Sequence, residues 1–156
     1  HVEVLTRQVD DEIGTRLEIA GSEVINQEPA QCPVGTNMRV KNLFYNVPAR
    51  RKFLKTDQTE LRNLLTEYQR IALVNPQVQF TFVNNDEIIS ELPICSTKQR
   101  IEAMFGHTSK PYTAHLVDIL TNTELVNIHG FVGKPETASK NSQQYMFVNG
   151  RYMRHP

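Results

Sequence analysis

A run of basic side chains between residues 48 and 55 is the first feature that could bind a ligand. The segment PARRKFLK contains four cations, Arg50, Arg51, Lys52 and Lys55. Val47-Pro48 favours an extended residue followed by a helical turn. In that turn Phe53 and Leu54 share a sector with Arg50, so both apolar side chains are predicted to anchor the turn to a core. Arg51, Lys52 and Lys55 are then left to face phosphate groups or, in the plainer alternative, water.

A Gly-Thr pair, Gly35 and Thr36, is the second candidate. It stands at the head of the predicted strand VGTNMRV. A glycine lets the backbone approach a ligand closely, and a threonine hydroxyl can both donate and accept a hydrogen bond. The same pair can also begin a strand for purely structural reasons, so the residues alone leave both interpretations open.

No set of residues predicts catalysis or a metal site. The five histidines show no HxH or HxxxH spacing, and the two cysteines, Cys32 and Cys95, form no CxxC pair. The chain contains no GxSxG, no Walker A loop and no GxGxxG. We therefore predict no catalytic residue and no metal ligand in this sequence.

The charges are balanced overall but unevenly distributed. The 156 residues include 17 Lys and Arg and 17 Asp and Glu, whereas residues 29–56 contain basic residues and no acidic one. This segregation favours a site for a polyanion. No apolar run reaches the roughly 18 residues that span a membrane. Two distant cysteines suit a reducing compartment, so we expect a cytoplasmic protein without a membrane partner. Because the chain lacks an initiator Met, we expect a piece of a longer protein.

The elements that must position these residues are of the α+β class. Alternating apolar residues between turn-forming stretches predict an antiparallel sheet over the first forty residues, with one strand stopping at Pro29. Residues 57–74 predict a helix capped by Asp57. Its predicted buried stripe consists of Leu61, Leu64, Leu65, Tyr68, Ile71 and Ala72.

The second half of the chain predicts hairpins and one short helix. Residues 78–92 read as a hairpin, and residues 97–106 as a helix closed by Gly106. Residues 114–133 predict a second hairpin that turns at Thr121-Asn122. A last strand, QQYMFVNG, is predicted to be followed by the start of a helix at Arg151.

Two longer motifs resemble blocks of the MutL family of DNA mismatch repair proteins. GTNMRVKNLFYNVPARRKFLK, residues 35–55, is similar to a family block that runs from Gly-Thr through Leu-Phe-Tyr/Phe-Asn-x-Pro-Ala-Arg-x-Lys-Phe-Leu. YMFVNGRYMR, residues 145–154, is similar to a Val-Asn-Gly-Arg block of the same family. The first motif is long and specific, and the resemblance covers essentially the whole chain.

The resemblance implies a fold and a division into domains. MutL proteins have an ATPase domain of the GHKL type, followed by a transducer domain whose fold is like domain 2 of ribosomal protein S5. Residues 1–55 are therefore expected to be the last strands of the ATPase sheet. Residues 56–156 are expected to form a truncated S5 domain 2-like α/β sandwich.

The resemblance also implies roles for particular residues. Gly35 and Thr36 are expected beside the adenine of a nucleotide, with Thr36 in the hydrogen-bond network that reads the adenine amino group. Three basic residues are expected to contact DNA phosphates: Arg51, Lys52 and Lys55. Arg151 and Arg154, from the later block, are further candidates for DNA contacts.

The implied activity belongs to the intact protein. It would bind ATP and Mg, form a homodimer, act on DNA, and work with a MutS-type mismatch recognition protein and a downstream nuclease or helicase at the nucleoid. The family's catalytic Glu, Mg-binding Asn and phosphate loops lie upstream of the matched residues, and a γ-phosphate Lys lies downstream. This chain alone is therefore expected to hold no cofactor and not to hydrolyse ATP.

Two other functions remain as alternatives. One is a non-enzymatic S5-like module that binds nucleic acid through its basic surface. The other is the ATPase subunit of a type II topoisomerase, against which the long LFYNVPARRKFLK block argues. An Asp-x-Gly-x-Gly loop upstream of His1 would exclude the non-enzymatic module.

Overall fold

The computed structural model describes residues 1–106, 115–138 and 144–154. The chain divides into two compact units, His1–Asp57 and Gln58–Pro156, and each is described by itself.

The first unit is built on a four-stranded antiparallel sheet with the spatial order β3-β2-β1-β4. Its strands are β1 (Val2–Arg7), β2 (Gly14–Ala20), β3 (Glu23–Ala30) and β4 (Gly35–Val40). The sheet predicted for the first forty residues is therefore confirmed. Its central pair, β1 and β2, has its strands joined by a turn over residues 8–13, which includes the predicted DDEIG stretch.

The two sides of this sheet differ in chemistry, because side chains alternate along each strand. Val4 lies opposite Leu17 on β2 and Met38 on β4, which makes one side apolar. Glu3 lies opposite Glu18 and Arg39, which makes the other side charged. Leu5, opposite Arg16 and Asn37, is an apolar exception on the charged side.

β3 continues through Pro29 and does not stop there, contrary to prediction. Pro29 pairs with Thr15 at the edge of the sheet. An edge strand needs no amide donor on its outer side, so proline is tolerated there.

In its described ranges, the second unit contains two longer helices and three hairpins. The helices are α2 (Asp57–Val74) and α3 (Thr97–Phe105), numbered after the short α1 (Pro48–Arg51) of the first unit. The strands pair as β5 (Phe80–Asn84) with β6 (Glu87–Leu92), β7 (Leu116–Asn122) with β8 (Asn127–Gly133), and β9 (Met146–Val148) with β10 (Arg151–Met153). A 3₁₀ turn covers Pro135–Thr137.

Helix α2 packs against the β5–β6 hairpin through Tyr68. The ring of Tyr68 lies 5.1 Å from the ring of Phe82, measured between centroids, and its hydroxyl is 3.2 Å from the hydroxyl of Ser90. Ala72 and Leu73 are buried one turn later. The predicted helix bounds are confirmed. The predicted stripe is partly wrong, because Leu64 and Ile71 are exposed and Leu73, outside that stripe, is buried.

Two turns differ from prediction for local reasons. The β7–β8 hairpin turns over residues 123–126 and not at Thr121-Asn122, because the Thr123 hydroxyl accepts a hydrogen bond from the Val126 amide at 2.9 Å. Arg151 begins a strand and not a helix. Asn149 (φ 49°) and Gly150 (φ 76°) are both left-handed, the conformation of a two-residue hairpin turn, and they fold the chain back onto β9.

Candidate functional site

Gly35 and Thr36 lie at the start of β4, beside the end of β1. Gly35 has φ +118°, a conformation that side-chain-bearing residues rarely adopt. A Cβ built on Gly35 meets no atom within 4 Å, so backbone conformation and not crowding requires a glycine here. The space beside this backbone is therefore open to a ligand.

The hydroxyl of Thr36 pairs with a second hydroxyl that the sequence did not point to. Thr36 lies opposite Thr6 on β1, and their Oγ1 atoms are 2.9 Å apart, with either able to donate. Each hydroxyl keeps further hydrogen-bonding capacity. The pair lies on the apolar side of the sheet, in line with Val4 and Met38. Two hydroxyls at the edge of an apolar surface can bind the polar rim of a flat heterocycle.

The residues from 42 to 54 form a chain of tight turns with α1 at its centre. Amide hydrogen bonds span three residues from Arg50 to Val47 and from Phe53 to Arg50, at 3.0 and 3.1 Å. Two residues ahead of these turns are left-handed, Asn42 (φ 50°) and Phe44 (φ 62°). A left-handed backbone is unusual for an aromatic residue such as Phe44.

The cations of this segment lie on the surface. Arg50, Arg51, Lys52 and Lys55 are all exposed. Within residues 1–106, 115–138 and 144–154, no ion pair includes Arg50, Arg51 or Lys52. We call these four cations, together with the turns that carry them, the basic turn. The charges of Arg50, Arg51 and Lys52 are not paired with a carboxylate in those ranges, so the basic turn can attract an anion.

The predicted anchors of the basic turn are wrong. Phe53 is 80% exposed and Leu54 is 44% exposed. The turns from Val47 to Leu54 are held by backbone hydrogen bonds, so neither side chain is needed to hold α1. Helical spacing places these residues on one face, but spacing cannot say whether a core lies under that face.

Arg151 and Arg154 belong to the second unit, at and after β10. Both are exposed. Tyr152 lies between them in the sequence. The Arg70 guanidinium carbon lies over the Tyr152 ring, 4.0 Å from the ring centroid, and Arg70 also forms an ion pair with Glu67. The ring of Tyr152 also lies 5.9 Å from the ring of Phe147. This cation–π contact helps to hold the β9–β10 hairpin on α2.

The charged side of the first sheet contains a cluster around Glu3. The Glu3 side chain is 7% exposed and contacts Lys41 at 2.7 Å, Arg16 at 3.2 Å and Arg39 at 3.9 Å. The hydrogen bond from Lys41, with the nearby positive charges, lowers the pKa of Glu3 against the opposing effect of desolvation. Arg39 and Lys41 are thus paired with a carboxylate of the sheet, whereas Arg50, Arg51 and Lys52 form no ion pair in the described ranges.

The described ranges contain neither a metal-binding cluster nor a membrane-spanning helix. There, no group of three or more His, Cys, Asp or Glu side chains is arranged to hold a metal ion. None of the helices described in those ranges is long and apolar enough to cross a bilayer.

Comparison with known proteins identifies the family. Residues 101–156 match the family described as DNA mismatch repair protein, C-terminal domain. The chain is 51% identical to the DNA mismatch repair protein MutL of Bacteroides fragilis and 53% identical to that of Phocaeicola vulgatus, in each case over 99% of its length. It covers 24% and 25% of those two proteins, so it spans about a quarter of the length of the curated relatives that it matches.

A solved structure supports the same assignment. The Aquifex aeolicus MutL ATPase domain complexed with ADP is 28% identical and superimposes with a TM-score of 0.78, covering 99% of this chain and 58% of that one. This match confirms the predicted α+β fold class, the end of a GHKL-type ATPase sheet followed by an S5 domain 2-like region. About half of the residues are identical to those of MutL proteins over nearly the whole chain, and the fold matches as well. The chain therefore belongs to the MutL family of DNA mismatch repair proteins.

Proposed function

We propose that the chain is part of an ATP-dependent MutL clamp that binds DNA and couples mismatch recognition to downstream repair. The observation that carries this proposal is the superposition on the ADP-bound A. aeolicus ATPase domain, which extends over 99% of the chain. We further propose that residues 1–55 close the ATPase domain and residues 56–156 form the transducer domain. The intact protein would use Mg with ATP and act as a homodimer.

Gly35 and Thr36 are proposed to contact the adenine of the nucleotide. The open space beside Gly35 and the hydroxyl pair of Thr6 and Thr36 support this role, since an adenine needs a close backbone and polar groups along its edge. The apolar side of the sheet would receive the flat face of the base. Thr6 joins the two predicted residues in this proposal.

Removing the Thr36 hydroxyl tests the nucleotide site. Thr36→Val in the intact protein keeps the strand and its shape but removes one hydrogen-bonding group, so we expect ATP affinity to fall by about three- to tenfold. Thr36→Ser should restore it. Thr81→Val, an exposed strand threonine of the second unit, is the matched control. Equal ATP affinity for Thr36→Val and Thr81→Val in a calorimetric titration would remove Thr36 from the site.

The basic turn is proposed to contact DNA phosphates through Arg51, Lys52 and Lys55, with Arg151 and Arg154 as further contacts. All of these side chains are exposed, and exposed cations are what sequence-independent phosphate binding requires. Binding would release counterions, so its affinity should fall as salt rises. Partners such as a MutS-type protein and a nuclease or helicase would act on the clamp, in the cytoplasm at the nucleoid.

The salt dependence of DNA binding tests the basic turn. Each phosphate contact contributes roughly −0.9 to the slope of log K against log salt, so reversing Arg51, Lys52 and Lys55 to Glu should flatten that slope by about 2.7. The matched control reverses three exposed cations elsewhere, Arg62, Lys98 and Lys134, for the same change in net charge. If both triple variants flatten the slope equally, overall charge and not the basic turn governs binding.

A further inference from the structure

The two hydroxyls at the proposed nucleotide site share one hydrogen bond. The Oγ1 atoms of Thr6 and Thr36 are 2.9 Å apart, and neither hydroxyl has a second hydrogen-bond partner in residues 1–106, 115–138 and 144–154. A threonine hydroxyl has one proton to donate and two lone pairs that accept. One of the two protons therefore lies between the oxygens, and the other remains for a ligand or for water.

The direction of this hydrogen bond decides what Thr36 offers to a ligand. If Thr6 donates to Thr36, the proton of Thr36 must turn away from Thr6, and Thr36 presents a donor. If Thr36 donates to Thr6, its proton is already used, and Thr36 presents only lone pairs. The distance between the oxygens allows both directions. The group that Thr36 meets therefore selects one of them.

An adenine amino group selects the second direction. The amino group at position 6 of adenine donates a hydrogen bond, whereas the oxygen at the same position of guanine accepts one. To accept from the amino group, Thr36 must donate its own proton to another acceptor. The direction is the same if a water lies between the base and the hydroxyl, because each member of such a chain donates to the next.

The sheet supplies one acceptor for that proton. Along the two strands, the neighbours of the threonine pair on the same side are the apolar residues Val4 and Met38. Across the sheet, Thr15 lies opposite Thr6 on β2, but its hydroxyl forms no hydrogen bond with Thr6. A base packed on this side would displace water, and a hydroxyl proton left without an acceptor there is costly. Among the described residues, the Thr6 oxygen is the acceptor in position.

We propose that Thr6 is a positioning residue that accepts the Thr36 proton and thereby keeps the Thr36 oxygen available to a 6-amino purine. A 6-oxo purine has no such need of Thr6, because Thr36 can donate its proton to the base oxygen directly. Thr6 thus supports binding of one class of base in particular. The proposal rests on the proposed nucleotide site at Gly35 and Thr36, and it adds the source of a preference for the amino group.

A purely structural role of the threonine pair leads to a different expectation. A cross-strand threonine pair stabilises a sheet whatever ligand is bound, so its loss would lower the melting temperature. It would not distinguish two nucleotides whose bases differ at position 6. The relative affinity for two such nucleotides therefore separates the positioning role from sheet stabilisation.

The test measures the affinity of the intact protein for ATP and for inosine triphosphate, a 6-oxo purine nucleotide, by calorimetric titration. Thr6→Val keeps the size of the side chain but leaves the Thr36 proton without its acceptor in the ATP complex. ATP affinity should therefore fall about three- to tenfold, while affinity for inosine triphosphate should stay within about twofold. Thr6→Ser should restore ATP affinity. Thr15→Val, in the same row of the sheet, is the matched control and should bind both nucleotides as the parent does.

A double variant tests whether Thr6 acts through Thr36. In a Thr36→Val background there is no Thr36 proton to accept, so Thr6→Val should cause little further loss of ATP affinity. A further loss as large as that of Thr6→Val alone would contradict the positioning role, because Thr6 would then act independently of Thr36.

Two other outcomes would overturn the positioning role while leaving the nucleotide site in place. One is an equal loss of affinity for ATP and inosine triphosphate in Thr6→Val. The other is a lower melting temperature of Thr6→Val with unchanged ATP affinity, which would make the pair a stabilising contact of the sheet. Failure of the nucleotide site itself would appear differently, as unchanged ATP affinity in Thr36→Val.

Discussion

Among the residues that the structure describes, each unit buries one charged side chain, and the two charges are compensated in opposite ways. In the first unit Glu3 is surrounded by the cations Lys41, Arg16 and Arg39. In the second unit Arg100 is fully buried, and the ion pairs of the described ranges do not include it. Its guanidinium instead donates to four backbone carbonyls, those of Pro76, Val78, Leu92 and Pro93, at 2.8 to 3.5 Å.

This difference indicates which changes should destabilise each unit. The Glu3 cluster depends on ionisation and is screened by salt, since its cations are about half exposed. The Arg100 contacts depend on backbone geometry, because carbonyl oxygens do not titrate. They join the two ends of the β5–β6 hairpin to α3, whose N-terminus is fixed by a reciprocal pair of bonds between Ser96 and Gln99. The stability of the first unit should therefore depend on pH and salt. The stability of the second unit should depend on side chains that fit the positions of its backbone carbonyls.

The largest effect is expected from Arg100→Met. The apolar side chain would leave buried carbonyls without donors, which should cost about 3 kcal/mol of unfolding free energy in the second unit. Arg100→Lys should recover little, because an ammonium lacks the planar fork that reaches several carbonyls. Hydrogen exchange of peptides from α3 and the β5–β6 hairpin gives the local measurement. Lys98→Met, an exposed cation on the same helix, is the control, and equal protection in both variants would contradict the role of Arg100.

Gly14→Ala should cause the next largest loss of stability. It tests steric packing in the first unit, whose buried carboxylate is compensated by ion pairs. A Cβ on Gly14 would lie 2.5 Å from the Cys32 sulfur and 2.7 Å from the Thr6 carbonyl oxygen, so β1 and β2 must shift. Overpacking of this kind costs about 1–3 kcal/mol. Gly130→Ala is the control, because its Cβ meets no atom within 4 Å. Denaturant melts in which the two alanine variants are equally stable would refute the close contact.

Glu3→Gln should have a smaller effect that depends on pH. Because its pKa is lowered in the folded protein, Glu3 stabilises the first unit at pH values above its ordinary pKa of about 4.5. This stabilisation is lost as the pH falls through the lowered pKa. Parent and variant should therefore differ in stability at neutral pH and converge in acid. Glu23→Gln, an exposed residue of β3, should track the parent at every pH. A gap between parent and Glu3→Gln that persists below the transition would show that charge is not its cause.

The smallest effect is expected from Tyr152→Leu, which removes the ring beneath Arg70. Cation–π contacts at partly exposed sites contribute about 0.5–1 kcal/mol, so exchange protection of the β9–β10 hairpin should fall slightly. Tyr152→Phe retains the π-face and should behave as the parent does. If phenylalanine loses as much protection as leucine, the hydroxyl and not the ring holds this hairpin.

Much of the secondary structure followed from local patterns. Alternation and turn residues located the four strands of the first sheet, and helical spacing located the bounds of α2. The β9–β10 hairpin was missed although its signal was present, since Asn149-Gly150 between apolar residues is a typical two-residue hairpin turn.

The sites were only partly predictable, for a physical reason that Thr6 illustrates. Thr6 meets Thr36 thirty residues later because β1 and β4 pair in one particular register. Nothing near Thr6 in the chain marks that partner. Phe53 illustrates the converse case: its spacing predicted an anchor, and only the arrangement of surrounding elements could show that no core lies under it in the described part of the first unit.

The sequence by itself determined the α+β class, the family and the candidate residues Gly35, Thr36, Arg51, Lys52 and Lys55. These depend on residue types at short spacing, which turns, helices and motifs record directly. The tertiary structure alone decided which charges are compensated and which are exposed. Glu3 meets Lys41 across 38 residues and Arg100 meets Pro76 across 24, because burial and pairing arise between elements that only folding brings together.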